Sequence, residues 1–376
     1  MNRKRILFLT GTRADFGKIK SLIQVLEFNK DFEVFVFVTG MHLQHEYGYT
    51  VLEIERCNFS HVHTFENFTH ETTMDLTLAK TIEGLSRYIK ESKPDMIVVH
   101  GDRVETLAGA IVGSLNNILV AHIEGGEVSG TVDELIRHSV SKLSHIHYVS
   151  NKQAEKRLIQ MGELTNSIRI IGSPDIDVMF SEKLPRLDTV KSYYDISFDT
   201  YAIAMIHPVT TEFSQIRTYA KQFVKAILDD HHNYIIVYPN NDLGSKVILE
   251  EIMSLKSMSR FRLIPSLRFE YFLTLLKNTK FIIGNSSAGI REAPYYGVPV
   301  INIGTRQNNR SNGSQIINVD YSYSAITGAL QKTHFKNKEN LTKEFGEGNS
   351  ADKFLESLEN RDIWTLNKQK QFRDLD

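Results

Sequence analysis

The chain has 376 residues, of which 41% are hydrophobic and 24% charged, with 44 Lys+Arg against 45 Asp+Glu. That is soluble, globular composition with length for two ordinary domains, and a net charge near zero gives no basic field for nucleic acid or an anionic membrane. A single cysteine, Cys57, excludes an internal disulfide and a thiolate metal cluster, and no apolar run forms a signal sequence or approaches the ~18 residues of a membrane helix, so the cytoplasm is the expected compartment.

Short apolar runs predict strands at residues 5–10, 33–38, 96–100, 118–123, 145–149 and 169–172. Between several of them, a 3.6-residue period predicts helices at 18–28, 74–91, 104–116, 132–143 and 153–161. The second half repeats the alternation, with strands at 201–206, 234–238, 261–264, 281–284, 300–303 and 315–319 and helices at 213–228, 246–255, 269–277 and 324–332. The pattern predicts an α/β fold of two Rossmann-like, doubly wound parallel-sheet domains whose post-strand loops face a cleft. Pro174, Pro185 and polar neighbours interrupt it over 174–193, which places a linker there and domains at 1–175 and 176–376. The charged stretch from residue 333 is weakly patterned. Residues 354–372 are compatible with helices, the last of which is expected to pack back on the first domain.

The loops after the strands carry the chemistry. In residues 10–17, Gly11 permits close backbone approach and Arg13 offers a planar fork for phosphate oxygens, but the pattern is neither G-x-G-x-x-G nor a Walker loop. After the strand at 96–100, Asp102 stands at a helix start, where it is either a cap or a cleft carboxylate. Glu124 ends an apolar strand, and Gly125, Gly126 and Gly130 let the following loop bend around a ligand. Asp133 and Arg137 are four apart on one helix face, so an ordinary surface ion pair is the plain alternative. Asp102, Glu124 and Asp133 together are what proton transfer at carbon and oxygen requires.

In the second half, His207 follows a strand and is a candidate donor to phosphate or to a leaving group, although a lone histidine there is more often structural. Residues 238–244 form a polar turn, and Arg306 and Arg310 lie in another post-strand loop. Residues 281–294 read as a buried strand, Gly284, the capping residues Asn285, Ser286 and Ser287, and a short helix. That arrangement directs N–H groups and a helix dipole at an anion, with Glu292 placed for ribose hydroxyls. The pairs His61/His63, His145/His147 and His231/His232 lack suitably spaced metal partners, and there is no serine nucleophile elbow.

Together these loops resemble the hydrolysing UDP-N-acetylglucosamine 2-epimerases of bacterial sialic acid synthesis. The matching stretches include GTRADFGKIK from Gly11, HGDRVETLAGA from His100, HIEGGEVSGTVDELIRHSVSKLSHIH from His122, HPVTTE from His207 and GNSSAGIREAPYYGVPVINIGTRQNNR from Gly284, in family order along nearly the whole chain. The non-hydrolysing epimerases are more distant, since their first loop reads GTRPE where Ala14-Asp15 stands here. The resemblance implies a GT-B-type fold and UDP held mainly by the second domain. The implied reaction converts UDP-GlcNAc and water to N-acetylmannosamine and UDP through 2-acetamidoglucal, with no cofactor or metal. It also implies catalytic roles for Asp102, Glu124, Asp133, His207 and Arg137, and UDP contacts from Arg13, Ser286, Ser287, Gly289 and Glu292. The expected partner is a UDP-sugar, with no nucleic acid or membrane, and the expected assembly is a homo-oligomer, a dimer or tetramer. The alternatives are the same reaction on UDP-2,4-diacetamido-2,4,6-trideoxyglucose, a GT-B glycosyltransferase, and a non-catalytic nucleotide-sugar sensor.

Overall fold

A computed structural model describes residues 3–68, 73–129, 131–307, 315–332 and 342–374. The sequence-based candidates Gly130 and Arg310 lie outside the described residues. The chain divides into two compact units, the first of residues 1–127, 133–181 and 344–376, the second of residues 128–132 and 182–343.

The first unit is built on seven strands: β1 (Lys4–Thr10), β2 (Phe32–Val38), β3 (Val62–Thr64), β4 (Met96–His100), β5 (Leu119–Ile123), β6 (Ile146–Val149) and β7 (Ile168–Ile170). They pair in parallel in the order β3-β2-β1-β4-β5-β6-β7. The runs MIVVH of β4 and LVAHI of β5 are buried at every position, as strands covered by helices on both faces must be. The helices are α1 (Arg13–Glu27), α2 (Val51–Glu55), α3 (Met74–Ser92), α4 (Val104–Leu115), α5 (Val132–Leu143), α6 (Lys152–Gln160) and α7 (Pro174–Met179). The strand order reverses between β1 and β4, and in such sheets ligands bind beyond the strand ends at that reversal.

The second unit begins with α8 (Leu187–Tyr193). Its strands are β8 (Ala202–Met205), β9 (Tyr234–Val237), β10 (Phe261–Ile264), β11 (Ile282–Gly284), β12 (Val300–Ile303) and β13 (Ile316–Val319). They pair in parallel in the order β10-β9-β8-β11-β12-β13, which reverses between β8 and β11. Its helices continue with α9 (Ile216–Asp229), α10 (Ser245–Met253), α11 (Phe269–Asn278) and α12 (Tyr323–Leu330). Ala220, Phe223 and Ile227 of α9 and Ile326 and Leu330 of α12 close over Ala204, Ile236, Ile283 and Ile301 of the sheet. A last helix, α13 (Ser350–Glu359), belongs to the first unit and buries Phe354 and Leu358 among Ile6, Phe8 and Tyr148. Among the described residues no helix is long and apolar enough to cross a membrane.

Three features differ from the sequence expectation. First, α1 starts at Arg13 rather than at residue 18. The Thr12 hydroxyl accepts the Asp15 N–H at 3.1 Å, so the stretch that reads as a loop is a capped first turn. Second, β3 has three half-buried or exposed residues and no apolar run to announce it. Third, residues 174–193 are not an open linker. Pro174 takes the first helical position of α7, where its missing N–H costs nothing, and α8 follows, so the first unit runs on to residue 181 instead of ending at 175.

Candidate active site

In the first unit, the reversal point gathers charge. β4 ends at His100, Asp102 follows in the turn, and β5 delivers Glu124 in the next position of the sheet. Glu124 has φ +66°, a left-handed conformation unusual for a residue with a side chain. Its N–H donates to the Tyr148 carbonyl at 2.9 Å and its carbonyl accepts from Arg137 Nη1 at 2.7 Å. Arg137, on α5 and only 2% exposed, pairs through Nη2 with the Asp102 carboxylate. One arginine therefore ties Asp102 to the backbone of Glu124. A buried guanidinium in this position supplies both positive charge and fixed geometry.

The Glu124 side chain is itself buried. Ser173 Oγ donates to Oε1, and Lys18 Nζ lies 4.0 Å from Oε1 and 3.3 Å from buried Asp175 Oδ2. Oε2 faces His100 Nε2 at 3.4 Å. His100 Nδ1 lies 3.0 Å from Asp15 Oδ1, and Asp15 Oδ2 accepts from the Thr10 hydroxyl at 2.9 Å and the Gly11 N–H at 3.0 Å. Burial works against charge on His100, but the Glu124 and Asp15 carboxylates outweigh it and raise the imidazole to about 9. Neighbouring His122 goes the other way: burial lowers it to about 3. Its Nε2 lies 2.8 Å from the Gly101 carbonyl, which can only accept, so Nε2 carries the proton and Nδ1 takes the Ser141 hydroxyl at 3.1 Å.

Asp133, the second residue of α5, is half-buried one turn before Arg137 on the same face. The terminal nitrogens of Arg137 engage Asp102 and the Glu124 carbonyl, contacts beyond the i,i+4 alternative raised from sequence. Arg13 stands in the first turn of α1 and pairs with Glu53 at 2.6 Å, both side chains largely covered.

In the second unit the loops after β8, β9, β11 and β12 meet around Asn285. Its side chain accepts the His207 N–H at 2.7 Å and donates to the His207 carbonyl at 2.9 Å, while its own carbonyl accepts from Gln307 Nε2 at 2.9 Å and Arg306 Nη1 at 3.3 Å. His207 Nδ1 accepts the Asn240 N–H at 3.0 Å. A backbone N–H cannot accept, so Nδ1 carries no proton and the ring is a neutral Nε2–H donor. Asn240 belongs to the polar turn at 238–244, whose contacts the sequence left open. Gly284 has φ +131°, and a Cβ there would fall 1.8 Å from the Met205 carbonyl oxygen, so only glycine lets β11 lie this close to β8.

Beyond Gly284 the expected short helix is two 3-10 turns, Ser287–Gly289 and Ala293–Tyr296, the second carrying Pro294 in its first positions and ended by left-handed Gly297. A single turn carries little macrodipole, so the anion argument passes to individual groups. Ser286 Oγ accepts the Ala288 N–H at 3.3 Å, and among the described residues the N–H groups of Ser286 and Ser287 meet no acceptor. Two free adjacent N–H groups at a strand end have the geometry that suits an anion. The missing side chain of Gly289 faces inward, where a Cβ would lie 2.9 Å from Val300 Cγ1, so this glycine serves close packing on the sheet. Glu292 is buried at the start of the second turn.

The histidine pairs have other occupations. His61 and His63 stack on Phe35 and Tyr88, and His147 bonds Glu163 at 2.9 Å. Asp230, His231 and His232 each place one ligand atom within 4.8 Å of the others, but the Asp230 carboxylate is taken by the His232 amide and ring and by the Tyr234 hydroxyl. His100, Asp15 and Lys18 were not singled out from sequence, and Asn285 was read there only as a capping residue. His100 and Asp15 stand in two of the loops considered, and a histidine directly before the turn of Asp102 was the available signal.

With this geometry in view, the comparisons with known proteins are direct. The sequence model of the UDP-N-acetylglucosamine 2-epimerase family matches residues 24–359. A Neisseria meningitidis serogroup B relative named UDP-N-acetylglucosamine 2-epimerase is 50% identical over 375 residues, covering 99% of each chain. A Legionella pneumophila relative, named hydrolysing UDP-N,N'-diacetylbacillosamine 2-epimerase, is 34% identical over 94% of this chain and 95% of its own. The Escherichia coli polysialic acid biosynthesis protein P7 is 32% identical over 87% and 85%. The fold is similar to that of a Neisseria meningitidis UDP-GlcNAc 2-epimerase solved bound to UDP-GlcNAc, with a TM-score of 0.79 at 20% identity over 94% of this chain and 99% of that one. Two doubly wound parallel-sheet units of seven and six strands make this a GT-B-type protein, and the chain belongs to the UDP-N-acetylglucosamine 2-epimerase family.

Proposed function

We propose that this chain is a hydrolysing UDP-N-acetylglucosamine 2-epimerase that converts UDP-GlcNAc and water to N-acetylmannosamine and UDP and opens a route to sialic acids. The observation that carries the reading is the buried carboxylate of Glu124, on a strained residue and joined through Arg137 to Asp102. The 50% identity to the Neisseria enzyme supports the sugar nucleotide, the Legionella relative supports hydrolysis, and the E. coli protein supports the sialic acid context.

In the first step a base takes the C2 proton, the C–H electrons form the C1=C2 double bond, and the C1–O pair leaves with UDP. In the second, water adds hydroxyl to C1 and a proton to C2 from the opposite face. A C2 proton beside an acetal carbon is weakly acidic, so C1–O cleavage leads and the charge growing on UDP must be stabilised. The carboxylates Asp102, Glu124 and Asp133 supply the proton transfers. The Ser286 and Ser287 N–H groups, the Nε2–H of His207 and Arg13 receive the diphosphate, and Glu292 serves the ribose. Protein in D2O with UDP-GlcNAc and no acceptor is expected to yield N-acetylmannosamine carrying deuterium at C2, plus UDP, by NMR. Unchanged sugar nucleotide, or UDP-N-acetylmannosamine as the end product, would refute the reading.

The Legionella relative favours a second reading in which the same chemistry runs on a UDP-2,4-diacetamido-2,4,6-trideoxy sugar. The ratio of kcat/KM on the two substrates decides between them.

A further inference from the structure

We propose that His100, fixed by Asp15, is a positioning residue that holds the Glu124 carboxylate for proton transfer. The inference rests on the reading above and adds a residue to it. Both ring nitrogens of His100 face carboxylate oxygens, Asp15 Oδ1 at 3.0 Å and Glu124 Oε2 at 3.4 Å. A neutral imidazole has one N–H and one lone pair, so one carboxylate would face the lone pair and be repelled. Only the doubly protonated ring suits both neighbours. The side chain is buried, so water does not screen these charges.

The surroundings fix each partner. Asp15 is held by the Thr10 hydroxyl, the Gly11 N–H and its own place in the first turn of α1. The backbone of Glu124 is held on both sides, and its other oxygen meets Ser173 and Lys18. The His100 carbonyl accepts the Thr106 hydroxyl at 2.8 Å, which anchors the ring's own backbone to α4. His100 is thus a contact that faces Oε2. At 3.4 Å the contact is an ion pair longer than a good hydrogen bond, so it orients and charges the carboxylate without taking its lone pairs.

The ring's two carboxylate partners and the charged groups near them come from five elements. Asp15 and Lys18 lie on α1, Asp175 on α7, Glu124 after β5, Asp102 after β4, and Arg137 on α5, the last two paired with each other. His122 on β5 is neutral. With His100 at about 9, the imidazolium is present through neutral pH and is lost as pH rises through that value.

The test uses the full chain. In His100→Gln, kcat is expected to fall at least about tenfold, short of the roughly 10²–10⁴-fold of losing a general acid or base outright, with KM within about twofold. Wild-type kcat falls as pH passes about 9. Asp15→Asn moves that fall to lower pH, and His100→Gln removes it. A merely structural His100 would lower thermal stability and leave the pH profile unchanged. Ring titration followed by histidine NMR reads the pairing independently of turnover, with a midpoint near 9 that drops in Asp15→Asn and in Glu124→Gln. A midpoint at or below the ordinary histidine value, or full kcat in His100→Gln, would overturn the inference. Loss of the wild-type's turnover of UDP-GlcNAc with an intact NMR midpoint would instead strike the proposed substrate and leave the His100–Glu124 pairing standing.

Discussion

At Glu124 the backbone adopts φ +66°, a conformation ordinarily left to glycine, immediately before Gly125 and Gly126. The strain, of order 1–3 kcal/mol, persists because the N–H, the carbonyl and the side chain of Glu124 are all engaged. Such a residue is held for its side chain. Glu124→Gln and Asp102→Asn keep shape while removing charge, so each is expected to cost roughly 10²–10⁴-fold in kcat with UDP affinity changed little, measured by turnover and calorimetry. Wild-type rates in either variant would remove that residue from the chemistry. Both acids were singled out in the sequence because each follows an apolar strand. The partners that give them meaning were not. Asp15, His100 and Glu124 are widely separated along the chain and become neighbours only because β1, β4 and β5 are adjacent in the sheet. Likewise, nothing local to His207 says which ring nitrogen is protonated, since the answer comes from the Asn240 N–H after a different strand.

Strands such as β2, β4 and β5 were legible because continuous apolar runs report burial on both faces. β3 was not, because three edge residues with two half-buried positions carry no such signal, and α7 was hidden because proline reads as a breaker although it is well suited to a helix's first turn. The stretch after α13 shows a third case, in which irregular chain is fastened by charge. Glu163 lies 2.9 Å from His147 Nε2, 3.0 Å from Lys142 Nζ and 2.5 Å from Lys370 Nζ, and Lys370 also donates to the Ser144 carbonyl at 2.6 Å near the end of α5. Burial opposes ionisation of Glu163, but His147 and Lys370 outweigh it and lower the carboxyl to about 2. Because the folded value lies below the ordinary 4.5, this stability is fully present above pH 4.5 and is lost as pH falls through about 2. Lys370→Met is expected to cost about 1–3 kcal/mol at pH 7, read from urea midpoints, with the gap to wild type closing below pH 4.5. A pH-independent gap would mean that packing, not charge, fastens this segment.

Each unit gathers its candidate site residues where its own strand order reverses, β1/β4 in one and β8/β11 in the other. The doubly wound pattern was legible because alternating runs repeat in both halves. The return of residues 344–376 to the first unit follows from tertiary burial that local periodicity does not encode. Phe354, Leu358 and Ile363 are each at most 1% exposed within the core of that unit. At roughly 1.5–3 kcal/mol per buried side chain they supply about 5–9 kcal/mol, comparable to the whole stability of an ordinary domain. A chain ending at residue 343 is therefore expected to lose the cooperative unfolding of its first unit and to bind a hydrophobic dye. An unaltered melting transition would show that α13 is dispensable.

This return has a consequence for biogenesis. A ribosome makes β1 before α13, with residues 182–343 of the second unit in between. The emerging amino-terminal half must expose Ile6, Phe8 and Tyr148 until the segment bearing Phe354 clears the exit tunnel, whereas the second unit has every one of its strands and helices by residue 343. The half translated first is thus the half that closes last, and during that interval it is the natural client of a chaperone.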